Sequence, residues 1–318
     1  MEYGYRKEGR LALQIHFIIN PSAGNGRGKK TWHQFEQQLQ IPYEIHWTQY
    51  AGHTVEIANQ IASQATVYHP VCIIAIGGDG TIHEVLNGAA KYENVYIGAI
   101  SAGSGNDFKR GFASFENAKQ IEQFVSLINA TSHDYGIARI NGQSKIFVNN
   151  FGVGFDALVA IMANESKLKK VLNRFKLGKL SYAYFVISAL FTFKPFLLTV
   201  LQNGQKRVIE NVWFVTISNQ PYFGGGMNLS PTSNTSDGEL EVTTVSNISK
   251  WKLLFLFGSV FFAKHTNIKE VHQFACEEIT LTVDGLISTH ADGEKQLLNE
   301  QQTDIHISAK PNGWKLAK

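Results

Sequence analysis

Cysteine is scarce in this 318-residue chain, which has two, Cys72 and Cys276. They lack metal-ligand spacing and form no disulfide framework, which excludes a disulfide-rich secreted scaffold or a zinc ribbon and fits a reducing compartment. An excess of charge of one sign is also missing. A net charge of +3 is too small to argue for nucleic acid, and no DNA- or RNA-binding signature is present, so no nucleic-acid partner is expected. No uninterrupted apolar run approaches the ~20 residues needed to cross a bilayer, and no signal peptide is visible, so a cytoplasmic location is the expectation. Internal repeats and low-complexity segments are absent. The 44% apolar and 17% charged fractions are those of an ordinary folded chain, long enough for two domains.

What is present follows two grammars. From Leu13 to about Leu127, short apolar runs alternate with helical periodicity. Strands are predicted at Leu13–Asn20, Tyr43–Thr48, Val71–Gly77 and Tyr96–Ser101, and helices at Lys29–Gln40, His53–Ala65, Thr81–Lys91 and Phe115–Asn129. This is a doubly wound α/β pattern with a mostly parallel sheet, a fold that binds ligands beyond the carboxyl ends of its strands. From Asp134 the pattern turns strand-rich, with strands predicted at Asp134–Ile140, Lys145–Phe151, Phe196–Gln202, Glu210–Asn219, Leu240–Val245, Glu277–Val283 and Asp304–Ile307. Helical stretches at Asp156–Leu190 and Ser249–Phe262 interrupt it. The expected architecture is an α/β domain over 1–133 followed by an all-β, sandwich-like domain with inserted helices over 134–309. The tail from about 310 to 318 is a candidate to return to the first domain, and the cleft between domains is the expected active site.

Three glycine-rich loops follow predicted strands of the first domain. Val71 to Ile76 lead into Gly77-Gly78-Asp79-Gly80-Thr81 and then a helical pattern, the layout of a phosphate cradle in which glycines admit a pyrophosphate to the backbone and a helix N-terminus faces it. Asp79 adds a carboxylate that suits a magnesium-bound nucleotide, although a tight turn with Asp79 as a helix cap would read the same way. The loop from Asn20 to Thr31 resembles a Walker A sequence but lacks its spacing, since three residues rather than four separate Gly24 from Gly28, and Lys30 separates Lys29 from Thr31. The third loop, Ser101 to Phe108, brings Asp107 to the same sheet edge, where it and Asp79 are candidates to share a magnesium ion; Asn106 and Asp107 would also serve as an ordinary helix cap.

These three loops, with Glu84, Val85, Asn87 and Gly88, resemble the catalytic domain of the diacylglycerol kinase family, which bacterial lipid kinases share with ceramide and sphingosine kinases. Pro231 to Leu240 is similar to a structural magnesium loop of its bacterial branch, and Asp292-Gly293-Glu294 to the segment that supplies its general base. The resemblance implies ATP contacts from Asn20, Pro21, Ser22, Ala23, Gly24, Thr48, Gly78, Asp79, Gly80, Thr81, Ile82, His83, Glu84 and Ser104. It further implies a structural Mg2+ held by the Asp237 side chain and the carbonyls of Asn234 and Glu239. Asp79 and Asp107 would act at the catalytic metal, and Glu294 would accept the proton of a lipid hydroxyl. Two positions depart from the family's usual residues: His83 stands where Asn is frequent, and Ser104 where Thr is. The implied activity is ATP- and Mg-dependent phosphorylation of a lipid, with diacylglycerol as leading acceptor and phosphatidylglycerol, a sphingoid base, an undecaprenol-like lipid, or a noncatalytic sensor role as rivals.

A lipid substrate calls for contact with a membrane. Lys167, Lys169, Lys170, Arg174, Lys176 and Lys179 form a basic segment suited either to anionic headgroups or to a solvated helix face. The aromatic-rich stretches Leu180–Phe196 and Trp251–Phe262 are too short to span and fit a core or interfacial helix; ordinary core is the expectation for most of their side chains, with an acyl-chain access route as the alternative. Edge strands of the second domain leave a homodimer open.

Overall fold

The computed structural model describes residues 13–103, 105–166, 178–296, 298 and 302–318. Its contacts form two compact units, Met1–His133 with Asn312–Lys318, and Asp134–Pro311.

The first unit is built around β3 (Val71–Gly77), seven residues that are all buried. Its sequence, V-C-I-I-A-I-G, has no polar alternation because both faces are covered, as in parallel α/β sheets. It lies between β1 (Gln14–Ile19) and β4 (Val95–Ser101), and β2 (Glu44–Trp47) flanks β1; every pairing is parallel. On one face Ile15, Phe17 and Ile19 of β1 pack with Trp32 and Phe35 of α1 (Ala23–Glu36) and with Ile121 and Phe124 of α5 (Ala118–Leu127). Helices α2 (His53–Ala62) and α3 (Asp79–Ala89) pack on one another, closely enough at Gly88 that a Cβ there would stand 2.5 Å from the Val55 carbonyl oxygen. The short α4 (Asp107–Gly111) follows the third glycine loop. The end of the chain joins β4 in parallel, Lys315 opposite Tyr96 and Leu316 opposite Ile97.

The second unit is antiparallel in its strand pairing. Strand β5 (Ala130–Ile140), which enters from the first unit, pairs with β6 (Gln143–Phe147). Strand β7 (Asn150–Gly154) precedes α6 (Phe155–Glu165) and α7 (Gly178–Thr192). Next come β8 (Phe196–Gln202), the long β9 (Gln205–Ser218), the small hairpin β10 (Tyr222–Phe223) and β11 (Met227–Asn228), β12 (Leu240–Ser246) and α8 (Lys250–Val260). The chain closes with β13 (Val271–Cys276), β14 (Glu278–Asp284), β15 (Thr289–Ala291), β16 (Glu294–Gln296) and β17 (Gln302–Ala317). Strand β9 is the hub, pairing with β7, β8 and β12. Two apolar cores flank this sheet. One is lined by Phe147, Phe151, Leu198, Ile217, Leu281 and Ile305, the other by Phe155, Trp213, Phe214, Leu253 and Leu256 beneath the helices.

The sequence predicts one strand from Lys145 to Phe151, whereas the chain breaks at Val148 and Asn149 into β6 and β7. The Asp292 carboxylate accepts the backbone N–H groups of Val148, Asn149 and Asn150 at 2.8–2.9 Å, drawing them out of a strand ladder. The predicted strand Asp304–Ile307 lies near the start of a much longer β17. Strands β10, β11, β13, β15 and β16 were not expected; most are two or three residues long, below the span over which alternation is readable. The basic segment lies outside the described residues up to position 177. Among the described residues, no helix is long and apolar enough to cross a membrane.

Candidate active site

Because β1, β3 and β4 are parallel neighbours in register, their three glycine loops leave the same edge of the sheet. Ile19 lies opposite Ile76, and Gly77 opposite Ser101. Beyond those residues the Asn20 N–H donates to the Ile76 carbonyl at 3.0 Å and the Ala102 N–H to the Gly77 carbonyl at 2.7 Å, so the loops begin side by side. The glycines let them touch backbone to backbone. A Cβ on Gly103 would stand 2.6 Å from the Gly78 Cα, and one on Gly24, whose φ is +58°, 2.1 Å from the Ala102 carbonyl oxygen. Gly24, Asn25 and Gly26 are all left-handed, and they interrupt what is otherwise the first turn of α1. The regular helix therefore starts later than Ala23, while its end at Glu36 falls short of the predicted Gln40.

Polar side chains knit the cradle. Asn20 Nδ2 donates to Thr81 Oγ1 at 3.2 Å, and Asn20 Oδ1 accepts the Ser22 N–H at 3.0 Å. Asp79 does not cap its own helix. Its Oδ1 accepts the Phe108 N–H at 2.9 Å, capping α4 from a neighbouring loop. Asn106, at the N-cap of α4, does not cap it with its side chain either. Asp79 Oδ2 and Asp107 Oδ2 both border Gly105, at 2.8 and 3.8 Å from the position a Cβ would take there. Two carboxylates on one glycine are a donor set of the kind that suits a hard divalent cation. Asp107 is buried and pairs through Oδ1 with Arg110 Nη1 at 3.0 Å, and Arg110 also donates to the Gly105 carbonyl. Arg110 was missed in the sequence, although the Asp107-x-x-Arg110 spacing of one helical turn was the available signal. Asn106 Oδ1 is buried with no hydrogen-bond partner among the described residues.

The remaining first-unit candidates divide. Pro21, Ser22, Ala23 and Gly80 are at least partly exposed in the cradle loops. Thr48 follows β2 at the same sheet edge, its N–H donating to the Ile19 carbonyl at 3.0 Å. Glu84 accepts the Gly52 N–H at 3.1 Å and so fastens the loop that carries Thr48 to α3. Ile82 and His83 point into the protein, both buried, with the His83 ring 3.2 Å from Asn87 Nδ2. Ser104 lies outside the described residues.

In the second unit, Glu294 is exposed and opens β16, just after a two-residue turn made by Asp292 (φ +50°) and Gly293 (φ +87°). Two left-handed residues joining paired strands form a tight type I′ hairpin, for which Asp-Gly is a favoured pair. The hairpin is anchored by the three amide contacts of Asp292 and by the Gly293 N–H, which donates to His290 Nδ1 at 3.1 Å. That bond fixes the neutral His290 with its proton on Nε2. His290 is fully buried, stacks on Phe223 at 4.9 Å, and sets Nε2 3.8 Å from Asp156 Oδ2. Sequence reading assigned the role to Glu294 and overlooked Asp292, whose carboxylate holds the turn.

Asn234, Asp237 and Glu239 sit in the loop before β12. Asn234 Oδ1 accepts the Ser236 N–H at 3.2 Å, Asp237 Oδ1 accepts the Glu239 N–H at 3.0 Å, and Asp134 Oδ2 accepts the Gly238 N–H at 2.7 Å. The loop is thus pre-shaped by side-chain turns. Burial pushes the Glu241 carboxyl above its usual range; the Thr232 hydrogen bond opposes this, while the negative charges of Asp237 and Glu239 add to it. Such a group of acids favours a cation. The cysteines stand apart from this chemistry. Burial drives the Cys72 thiol far upward, and burial with Glu239 and Glu241 pushes Cys276 up to about 12.

Residues 14–140 match the diacylglycerol kinase catalytic domain, and residues 149–310 match the YegS C-terminal NAD kinase beta sandwich-like domain. A Bacillus subtilis (strain 168) protein named "Putative lipid kinase YtlR" is 34% identical over 87% of this chain and 92% of its own length. The chain belongs to the diacylglycerol kinase family. A Mycobacterium tuberculosis relative named diacylglycerol kinase is 26% identical over 88% of each chain. In fold, the diacylglycerol kinase crystal structure from Bacillus anthracis strain Sterne superposes with a TM-score of 0.66 over 96% of both chains at 20% identity. Yeast NADH kinase shares the fold more distantly, with a TM-score of 0.52 over 96% of this chain and 82% of its own. The chain thus falls among diacylglycerol and lipid kinases, with the three glycine loops inside the first matched region and the Asp292–Glu294 hairpin inside the second.

Proposed function

We propose that the protein transfers the γ-phosphate of ATP to the hydroxyl of diacylglycerol, giving phosphatidic acid, in a magnesium-dependent reaction at the cytoplasmic face of a membrane that it visits transiently. The observation that carries this reading is the meeting of three glycine loops around Asp79, Asp107 and Gly105 in a chain of lipid kinase ancestry. Backbone N–H groups of the loops at Asn20 to Gly24 and Gly78 to Thr81, with the N-terminus of α3, hold the phosphates. Thr48, Glu84 and Ser104 add contacts to the nucleotide, as the family resemblance implies. Asp79 and Asp107 would hold Mg2+, which would neutralise charge on the transferring phosphoryl group. Arg110 keeps the Asp107 carboxylate oriented.

Glu294 takes the proton of the acceptor hydroxyl as its oxygen attacks phosphorus in line and ADP leaves. The carboxylate is presented by a rigid turn, so its position is set before substrate arrives. Asp237 and the carbonyls of Asn234 and Glu239 would hold a second Mg2+, which would brace the loop ahead of β12.

The test is transfer of labelled γ-phosphate from Mg-ATP to a panel of lipid alcohols in mixed micelles, with Glu294→Gln alongside. The expected result is labelled phosphatidic acid, reduced about 100-fold or more in the variant while ATP binding by calorimetry is kept. Label appearing only in another lipid would move the acceptor, and near-normal turnover by the variant would remove Glu294 from its role.

A further inference from the structure

Helices α7 and α8 each bury one apolar face and expose another. In α7, Phe185, Val186, Ala189 and Leu190 are buried, while Tyr184, Ile187 and Phe191 are exposed at spacings of three and four residues, one stripe of a helix. In α8, Leu253, Leu256 and Val260 are buried, while Trp251 and Phe255, both 73% exposed, form a second stripe that Phe262, 74% exposed, continues just past the helix end. The expectation of ordinary core holds for the inner faces and fails for these outer ones. The stripes adjoin, because Lys250 Nζ of α8 lies 5.6 Å from the Phe191 ring of α7. Large aromatic residues set in rows on a surface mark a contact site, since single exposed apolar residues are normal and rows of them are not.

Charge identifies the occupant. No Asp or Glu occurs from position 166 to 209, or from 242 to 269, the two stretches that contain these helices. The same stretches carry Lys194, Lys250 and Lys264, while Lys252 is paired at 2.7 Å with Glu270, the acid that follows the second stretch. Aromatic rings among lysines, with Glu270 already neutralised by Lys252, suit the interface of an anionic bilayer, where rings sit at headgroup depth and lysines meet phosphates. A surface for a second copy of this chain would carry no such reason to exclude acids.

We propose that the outer stripes of α7 and α8, centred on Trp251, Phe255, Phe262 and Phe191, are the surface by which the protein docks on anionic phospholipid bilayers. The inference draws on the lipid-kinase reading for its biological sense, but its test reads membrane binding directly. Trp32, Trp213 and Trp314 are buried and Trp47 half-buried, so Trp251 is the indole best placed to report.

The experiment mixes the full-length protein with vesicles of phosphatidylcholine alone or with 30 mol% phosphatidylglycerol, about one lipid in three, as in polybasic-segment assays. The expected result is a blue-shifted tryptophan emission quenched by brominated lipid, stronger on anionic vesicles and missing in Trp251→Phe. The triple variant W251S/F255S/F262S should partition at least about tenfold more weakly, with an unchanged melting temperature because these side chains are exposed. Equal partitioning of variant and wild type would overturn the proposal. So would a wild-type dimer that ignores vesicles and becomes monomeric in the variant, which would give the face to a second copy. Vesicle binding that depends on these residues, in a protein that phosphorylates no lipid, would leave the docking surface standing and remove the kinase reading. Activity toward a short-chain diacylglycerol dispersed in micelles is expected to be unaffected in the triple variant, which separates docking from chemistry.

Discussion

At the residue scale, the cradle depends on what is missing from its side chains. Gly103 faces Gly78 so closely that a single methyl would press on backbone, which cannot swing aside as a flexible side chain can. Gly103→Ala is therefore expected to cost about 1–3 kcal/mol of stability, the usual range for overpacking, and to spread the loops that follow β3 and β4. Urea unfolding together with nucleotide titration checks this. A variant that keeps full stability and full ATP affinity would show that the contact is slack and that the glycines serve another purpose. Gly142→Ala gives a useful contrast, because nothing lies within 4 Å of a Cβ there and its cost would come only from its φ of +77°.

At the element scale, the parts legible in the sequence are those where one local pattern decides the outcome. Strand β3 reads directly from Val71 to Gly77 because seven apolar residues end at glycine, and α3 from the helical spacing that follows. The hairpin at Glu294 was hidden for a physical reason: its arms are three residues long and its anchor is Asp292, which reaches back to Val148, Asn149 and Asn150 across more than a hundred residues. No local pattern encodes such a contact. Asp79 is similar, since its spacing fits a cap on its own helix and only the fold delivers it to Phe108. The outward stripes of α7 and α8 were hidden differently, because composition reports that a helix is apolar and not that both of its faces are.

The short 3-10 turn at His265–Asn267 allows a prediction at the same scale. His265 is fully buried; its Nε2 donates to the Leu229 carbonyl at 2.8 Å, and its Nδ1 has no partner among the described residues. Burial lowers its pKa, and the Leu229 bond opposes that only in part. Across β1 and β2, burial likewise lowers His16, with the nearby His46 adding to the effect and Glu44 opposing it, and burial lowers His46. Each favours its neutral form in the folded state. Their contribution is complete above about pH 6.5, the value of an unfolded histidine, and is lost as pH falls from there toward the folded values, because the unfolded chain then binds more protons. Unfolding free energy measured at pH 8, 6.5 and 5.5 should be level over the first interval and drop over the second. His265→Gln should shrink that drop, and an unchanged acid limb in the variant would clear His265 of responsibility.

At the scale of the whole molecule, the end of the chain belongs to its beginning. After some 180 residues in the second unit, Asn312–Lys318 rejoins the first. There Trp314 is buried among Phe108, Phe112 and His133, at ring distances of 6.0, 5.4 and 5.5 Å, and Leu316 and Ala317 are buried beside it. Phe108 is the residue whose N–H the Asp79 carboxylate accepts, so the chain end supports the start of α4 and, through it, one wall of the glycine-loop cluster. Trp314→Ala removes a large buried side chain and should cost about 3–5 kcal/mol, the range for Trp or Phe truncated in a core. It should also weaken ATP binding, although Trp314 is not itself placed among the ligand-facing groups. Trp314→Phe, which keeps an aromatic ring against Phe112, should recover most of both losses. Calorimetric ATP titration of the three proteins decides the matter: if Trp314→Ala is destabilised yet binds ATP as tightly as wild type, the chain end supports the fold alone and the cradle keeps its shape without it.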